Sequence, residues 1–503
     1  MKITKKIFGL LLGLALLLSA LDFPAQAAGA KACNCDSIPV VTIPGIGDTL
    51  YYDFGTPEQR EAGVVSTDGL QDVLLPMAKD IVAAVAARNW DKGADALIKL
   101  CYAMFGHLQV DERGRSVQPI SREAVYQDKD HKTSRTYDFK YDWRMDPWES
   151  AKKLNAFIKQ VLAGTGHKQV ILQPYSEGGC VAMAYFAQFG YKDIEHFVPI
   201  VSAHNGLTLL GELFNKNVEI GANLAAEYMR SYGRVDSAGP MALMAPAADV
   251  LQQSGILDAL TGALSILIAN VGDRLFAEAL VPLFAQWPAL WGFVPDEYYE
   301  SAKKAMLGDD PKYKDFIKMI DNHHYKAGPG MADRLIAGAN KVMKVSILCA
   351  YGFPTTPFTA NSDFDADGLI DTARESSGAT TAGLWKTLPA GYKQQKNDGH
   401  GHLSPDRRID ASTCLLPDQT WFVKGQIHFD WHYNALRDFV INSKKQPTVF
   451  SDPAFPQFTT RLPDNTFVPT VPETPPAFRL KLPGSVLDLT LVSLKLVGEM
   501  VIG

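Results

Sequence analysis

The sequence predicts an α/β protein in which helices flank a mostly parallel sheet and one long helical insertion interrupts it. Short apolar runs such as 170–172 have the character of strands buried on both faces. Strand-like stretches alternate with helical ones, as in strand 136–144, helix 147–163 and the strand that follows, and this alternation is typical of a parallel sheet. The 503 residues, 47% of them hydrophobic, suffice for such a core.

The N-terminus has the pattern of a targeting segment. Three early lysines precede the apolar stretch 7–21, and an Ala-x-Ala cleavage site follows at 25–27. An uncleaved anchor is the alternative, but the apolar stretch is short for a membrane span. The sequence therefore predicts a signal peptide over residues 1–27, cleavage near Ala27, and a secreted or periplasmic (cell-envelope) protein.

Charge and cysteine content bear on nucleic acid binding, disulfide formation and zinc binding. The net charge of -6 and the lack of a basic cluster argue against nucleic acid binding. Six cysteines permit disulfides in an exported protein but leave the connectivity open. Cys33 and Cys35 are too close to pair easily with each other, and no spacing with histidine indicates a zinc site.

A serine follows the strand-like run 170–172, at a sharp turn into a helix that begins at Glu177. Such a turn exposes the hydroxyl of Ser176 at the sheet edge, and Gly178 and Gly179 let the neighbouring strand come close. The usual pattern is Gly-x-Ser-x-Gly, and Pro174 replaces its first glycine. The turn predicts either a nucleophile or an ordinary strand-to-helix connection.

Upstream, the β-branched run 40–43 predicts a buried strand that ends in Pro44-Gly45. Hydrolases with a serine turn place half of an oxyanion hole in such a loop. The backbone N–H groups of Ile46 and Glu177 are therefore the predicted oxyanion donors. An ordinary turn is the alternative, because the Pro-Gly dipeptide is common in turns.

A family resemblance becomes specific at Tyr141-Asp-Trp-Arg144. Followed by a helix and the serine turn, this motif resembles the lecithin:cholesterol acyltransferase-like branch of the α/β-hydrolase lipases. The resemblance covers about residues 38–443, and Pro174 is its main departure. It implies an α/β-hydrolase fold, a lipid ester as substrate, and a lid formed by the insertion.

The insertion is long, mostly helical and unusually apolar. Stretch 284–294 contains Trp287 and Trp291, and exposed aromatic side chains there would suit contact with a lipid interface. A helical subdomain with a core of its own is the alternative. The sequence predicts a lid that faces acyl chains.

An aspartate-rich segment allows two interpretations. Asp367-Gly-Leu-Ile resembles the turn that carries the triad acid in related lipases, with Asp371 in reserve. Alternatively Asp363, Asp365, Asp367 and Asp371 match the first part of a calcium loop. That loop needs a glutamate where Arg374 stands, so we favour the triad acid and predict no required cofactor.

The predicted general base is His428, which follows a strand-like stretch. The chain order Ser, Asp, His is the one that this fold class requires. His204 comes too early in that order to be the base. His400 and His402 lie in 399–402, which has the composition of a surface loop. His432 lies in 431–441, which is predicted to form the final helix. The rivals of His428 are His400, His402 and His432, whereas His204 could line the pocket.

These observations predict five segments: a signal peptide, the first part of the core, the lid, the second part of the core, and a proline-rich C-terminal extension. Their bounds are 1–27, 28–204, 205–343, 344–445 and 446–503. Alternation of apolar and polar residues over 485–502 predicts one or two further strands.

The predicted chemistry is acyl transfer by Ser176, His428 and Asp367 through an acyl-enzyme. Water or an alcohol such as a sterol would accept the acyl group, and the sequence does not separate hydrolysis from transfer. Two alternatives stay open. One is a non-lipid esterase or amidase on the same fold, and the other is a non-catalytic, calcium-dependent binding protein on a hydrolase scaffold.

Overall fold

A computed structural model describes residues 32–472, apart from positions 34, 55–59, 67–75, 77–79, 81–82, 236–242, 356–362, 398 and 430. The predicted signal peptide and the predicted strands within 485–502 lie outside the described residues.

Within the described residues, ten strands form one central sheet and five more form two small sheets. In chain order the strands are β1 (Val40–Ile43), β2 (Leu50–Tyr52), β3 (Arg60–Ala62), β4 (Ile120–Ser121), β5 (Thr136–Asp138), β6 (Val170–Ser176), β7 (Ile194–Phe197), β8 (Ile200–Ser202), β9 (Lys344–Val345), β10 (Ile347–Tyr351), β11 (Thr380–Thr381), β12 (Ile409–Asp410), β13 (Thr420–Lys424), β14 (Phe458–Arg461) and β15 (Phe467–Pro469).

The central sheet has the order β15-β14-β13-β10-β8-β6-β1-β5, and β7 and β9 continue from β6. Its strand pairs are parallel except for the antiparallel pair β14 and β15. Both faces of β6 are covered, because Val170 and Leu172 belong to one core cluster and Ile171 to another, and all three are fully buried. The α/β class with a mostly parallel sheet is confirmed.

Helices cover the sheet and fill the region between β8 and β9. They are α1 (Trp90–Phe105), α2 (Pro147–Thr165), α3 (Gly178–Phe189), α4 (Thr208–Phe214), α5 (Ala222–Val235), α6 (Met244–Gln253), α7 (Ile256–Leu275), a π-helix (Phe276–Ala285), α8 (Pro288–Trp291), α9 (Asp296–Met306), α10 (Lys314–Ala327), α11 (Pro329–Ala339), α12 (Thr372–Glu375) and α13 (Asn434–Asn442).

Helix α2 shows how local sequence sets these elements. Asp146 caps it by accepting a hydrogen bond from Trp148 N at 2.9 Å, and Pro147 occupies the first turn, where its missing N–H costs nothing. The helix ends at Gly166, whose φ of 72° suits glycine. Its apolar face, including Leu154 and Phe157, packs into the main core.

The aromatic side chains of 284–294 are not exposed, which contradicts the sequence-based prediction of an aromatic lipid-facing surface. Trp287 and Trp291 are 3% and 1% exposed. Trp287 packs edge-on against Trp143, with 5.4 Å between ring centroids, and Trp291 contacts Phe214 at 5.0 Å. These rings belong to the hydrophobic core instead, because they join the helical region to the sheet.

Apolar surface is found on another part of the helical region. Helix α7 and the π-helix run together from Ile256 to Ala285, and by length and composition this helix could cross a membrane, with a mean hydropathy of 1.4. Only 18% of its most apolar 18-residue stretch is buried, and Ile266 is 49% exposed. This helix therefore presents apolar side chains that the rest of the described chain does not cover.

Three sequence-based boundaries were wrong. The strand predicted over 136–144 ends at Asp138, after which the chain turns. The final helix begins at Asn434 rather than at 431, so His432 lies outside it. Part of the predicted C-terminal extension, 458–461 and 467–469, forms β14 and β15 and completes the edge of the central sheet, so this part belongs to the core.

Candidate active site

Ser176 is the last residue of β6, at the carboxyl edge of the sheet. Its φ is +49°, a strained backbone conformation for a serine, and its side chain is partly exposed. The turn requires glycine after it, since a Cβ on Gly178 would lie 2.5 Å from the carbonyl oxygen of Ile43. The sharp strand-to-helix turn predicted from the sequence is present.

Pro174 occupies a central strand, where a missing N–H usually breaks the hydrogen-bond ladder. Strand β6 pairs with β7 up to Leu172 and with β8 from Tyr175 onward. Pro174 therefore lies where the neighbouring strand changes and the ladder on that side is already interrupted. This explains how the chain accommodates its departure from the Gly-x-Ser-x-Gly pattern.

Ser176, His428 and Asp367 are brought together at this edge. The Oγ atom of Ser176 lies 2.9 Å from Nε2 of His428, and Nδ1 of His428 lies 2.6 Å from Oδ2 of Asp367. His428 follows the carboxyl end of β13, and Asp367 lies in the long connection after β10. Loops at the carboxyl ends of parallel strands meet at one edge, which explains the convergence across 252 residues of chain.

Asp367 is wholly buried and held by its own turn. Its Oδ1 atom accepts hydrogen bonds from the backbone N–H groups of Leu369 at 2.8 Å and Ile370 at 2.7 Å. Its carbonyl oxygen accepts a further bond from the backbone N–H of His428, at 2.9 Å. Three backbone contacts therefore fix the carboxylate relative to the imidazole.

Glu375 is a neighbour of Asp367 that sequence reasoning missed. It is fully buried, and its Oε2 accepts a hydrogen bond from Ala350 N at 2.9 Å. Burial, followed by the charge of Asp367, raises the pKa of Glu375 well above its usual value. Burial therefore favours the neutral form of Glu375, which adds no second negative charge beside Asp367.

The loop after β1 packs directly against the serine. A Cβ on Gly45 would lie 2.5 Å from Cβ of Ser176 and 3.3 Å from the backbone nitrogen of Glu177. Ile46 therefore follows a residue in contact with the serine turn, as the predicted pair of oxyanion donors requires. Helix α3 begins at Gly178, so its positive N-terminal end also points at this region.

Tyr141 and Trp143 hold the loop after β1 by hydrogen bonds to its backbone, a role not predicted from the sequence. The hydroxyl of Tyr141 contacts both the carbonyl oxygen of Pro44, at 2.9 Å, and the buried carboxyl group of Glu177. Trp143 Nε1 donates to the carbonyl oxygen of Asp48 at 2.8 Å. Burial raises the pKa of Glu177 well above its usual value.

We expect Tyr141→Phe to lower kcat about 10- to 100-fold for an ester substrate, because small misplacements of a catalytic loop are costly. The free energy of unfolding should also fall by about 1–3 kcal/mol, since buried polar groups lose their donor. The hydroxyl of Tyr137, another buried tyrosine, has no hydrogen-bond partner in the described chain, so Tyr137→Phe is the matched control. Equal kcat in the two folded variants would show that the loop does not need this bridge.

The other histidines face different partners. Burial lowers the pKa of His204 to about 4, and its two ring nitrogens contact Ser202 Oγ at 3.1 Å and Ser377 Oγ at 3.0 Å. His402 is wholly buried, so the predicted surface loop was wrong at this position: Nδ1 of His402 lies 2.8 Å from Oε1 of Gln457.

The four aspartates of the alternative calcium loop turn to separate partners. Asp363 pairs with Lys386, and Oδ2 of Asp365 lies 2.7 Å from Nη2 of Arg408. The other two have partners of their own, since Asp367 contacts His428 and Asp371 accepts a hydrogen bond from Thr208 N at 3.0 Å. Among the described residues, the clusters of potential metal ligands do not include these aspartates.

No protein-family model and no curated protein matches the chain. Among solved structures, it resembles a chain of the structure titled "The crystal structure of Tle4-Tli4 complex". That match has 14% sequence identity and a TM-score of 0.25, and covers 62% of this chain and 75% of that chain. At these values the likeness carries no conclusion about fold or function.

Proposed function

We propose that the protein is an exported serine carboxylic-ester hydrolase or O-acyltransferase with an α/β-hydrolase fold, acting on lipid esters. The observation that carries this proposal is the hydrogen-bonded chain from Ser176 Oγ through His428 to buried Asp367, with distances of 2.9 and 2.6 Å. Such a chain is what activates a serine hydroxyl, which is a weak nucleophile by itself.

In the proposed mechanism, Nε2 of His428 takes the proton of Ser176 as Oγ attacks the ester carbonyl. Asp367 fixes the imidazole tautomer and stabilises the cation that forms. The N–H groups of Ile46 and Glu177 bind the oxyanion. The intermediate then expels the alcohol, which takes the proton from His428, and leaves an acyl-enzyme. Water, or an alcohol such as a sterol, accepts the acyl group.

The support for a lipid substrate is exposed apolar surface, part of which lies beside the triad. Phe429, which follows His428 directly and contacts its ring, is 67% exposed. The helix from Ile256 to Ala285 adds a long apolar face with little cover. We assign the helical region 205–343 as a lid that contacts a lipid interface through this helix, rather than through the buried tryptophans.

The test compares soluble and interfacial substrates. We expect p-nitrophenyl ester hydrolysis to rise with acyl chain length from acetate to palmitate, because a longer chain buries more apolar surface. Ile266→Glu should lower hydrolysis of esters embedded in vesicles about tenfold while leaving short soluble esters unaffected. Val342→Glu is the matched control, since Val342 is 68% exposed but lies next to β9, away from the helix.

Two other outcomes define the alternatives. Activity that does not change with acyl chain length, or that is highest with acetate, would favour a non-lipid esterase or amidase. The burial of Trp287 and Trp291, which removes two aromatic rings from the surface, supports this interpretation. Absence of a fluorophosphonate adduct on Ser176 in folded protein would favour a non-catalytic binding protein. In an assay with and without acceptor sterol, release of free fatty acid or formation of sterol ester distinguishes hydrolase from transferase.

A further inference from the structure

Two thiols and two imidazoles meet at a place remote from Ser176. They belong to Cys33, Cys35, His131 and His167, and the four ligand atoms all lie within 4.8 Å of one another. Nε2 of His131 lies 3.4 Å from each sulfur, Nε2 of His167 lies 3.5 Å from Sγ of Cys35, and the two sulfurs are 3.3 Å apart.

We propose that these four side chains form a structural Zn²⁺ site of the Cys2His2 type. With Zn–S distances of about 2.3 Å and Zn–N distances of about 2.0 Å, a tetrahedral ion separates its ligand atoms by roughly 3.3 to 3.8 Å. The sulfur–nitrogen distances of 3.4 and 3.5 Å match the roughly 3.5 Å expected between a bound sulfur and a bound nitrogen. The two sulfurs, 3.3 Å apart, are closer than the roughly 3.8 Å of a zinc-bound pair, so zinc binding would move them apart by about half an ångström. Mixed thiolate and imidazole ligands in this arrangement select zinc.

The surrounding backbone holds the ligands in place without a metal. Cys33 N donates to the carbonyl oxygen of Gly166 at 2.9 Å, directly beside His167. Ser37 Oγ donates to the carbonyl oxygen of His131 at 2.9 Å. The two imidazole rings are nearly perpendicular, with 4.9 Å between their centroids. Three separate segments are therefore already aligned where the four ligand atoms meet.

The position of the site indicates a structural role. Cys35, His131 and His167 each lie within five residues of the start of a strand, respectively β1, β5 and β6. These strands are adjacent and parallel, so the ligands gather at their amino ends, opposite the edge that carries Ser176. With four protein ligands the ion has no open position for substrate, and it would clasp three strands together.

A disulfide between Cys33 and Cys35 is the competing chemistry in an oxidising compartment. A disulfide needs about 2.05 Å between the sulfurs, and the separation here is 3.3 Å. All six cysteines are free thiols in the structure. No spacing in the sequence indicates this site, because Cys35 lies 96 residues from His131 and 132 residues from His167.

The chain offers a matched control for a metal-binding test. His400, His402 and Asp418 form another cluster, with Oδ1 of Asp418 at 3.1 Å from Nδ1 of His400 and 3.2 Å from Nε2 of His402. This cluster has three protein groups and lacks thiolates. A histidine substitution there changes metal content only if zinc binds at that cluster instead.

The experiment measures zinc in the purified exported protein by inductively coupled plasma mass spectrometry. We expect about one zinc per chain in the wild type and in His400→Gln, and less than about one tenth of that in Cys35→Ser and His167→Gln. His167→Cys keeps four ligands and should restore zinc. A wild-type protein without zinc, or a Cys35→Ser variant that retains it fully, overturns the proposal.

A second measurement needs no variant, and so does not depend on whether Cys35→Ser folds. Cobalt exchanged into the wild-type protein should give the intense visible bands of tetrahedral coordination and a sulfur-to-cobalt charge-transfer band. Chelation should lower the Tm. A two-dalton mass deficit in the peptide that contains both Cys33 and Cys35, lost on reduction and accompanied by absence of the cobalt bands, would instead establish the Cys33–Cys35 disulfide and overturn the zinc site.

Discussion

Ser176→Ala is expected to lower kcat about 10⁶-fold for any ester that the wild type hydrolyses, because no acyl-enzyme can form without the hydroxyl. Binding of substrate and the oxyanion donors would remain, so a residual rate above that in water is expected. The measurement is single-turnover hydrolysis, combined with mass spectrometry of the protein after fluorophosphonate treatment. Wild type should gain one adduct, on the peptide that contains Ser176.

Ser301→Ala provides the control for this variant. Ser301 is exposed on α9, where its hydroxyl donates to the carbonyl oxygen of Tyr298 at 2.9 Å. We expect its kcat and labelling to equal those of the wild type. If folded Ser176→Ala kept full activity, another group would be the nucleophile and the proposed function would be wrong.

The second large effect is expected for Asp367→Asn, with kcat lower by about 10⁴-fold. An amide in place of the carboxylate favours the wrong imidazole tautomer and no longer stabilises the cation that His428 becomes. The loss should appear in kcat with little change in KM, because Asp367 does not touch substrate. Steady-state kinetics and circular dichroism together separate this effect from unfolding.

Asp371→Asn tests the alternative assignment of the acid. Asp371 lies four residues further along and is buried, but its oxygens face Thr208 and Arg374 rather than His428. We expect activity within about threefold of wild type, with some loss of stability from the buried contact. A larger loss of kcat in Asp371→Asn than in Asp367→Asn would reverse the two roles.

The sequence was most informative where local pattern and chain order act together. A buried strand, a small-residue turn and a helix are local features, so the position of Ser176 could be predicted from a dozen residues. The order of Ser, Asp and His along the chain then selected Asp367 and His428 from several rivals. Their hydrogen-bonded distances follow from the parallel sheet, which the alternation of strands and helices also predicts.

Features that depend on distant contacts could not be predicted. The composition of 284–294 does not tell whether its tryptophans face lipid or the protein interior, since both are apolar surroundings. The ring of Trp143, far upstream, is what covers Trp287. In the same way, Cys35 meets His131 and His167 only because three adjacent strands begin close together. The spacing of residues within one segment therefore cannot predict that these side chains lie together.

The pairing of β14 with β13 has a consequence for shortened forms of this chain. Phe458 stacks on Phe422 at 5.4 Å, and the two strands run in register from that pair onward. A truncation before Phe458 would make β13, the strand that leads to His428, an edge strand with unpaired amide and carbonyl groups. Such a fragment would invite pairing with a second molecule, so loss of the tail would favour aggregation as much as loss of activity.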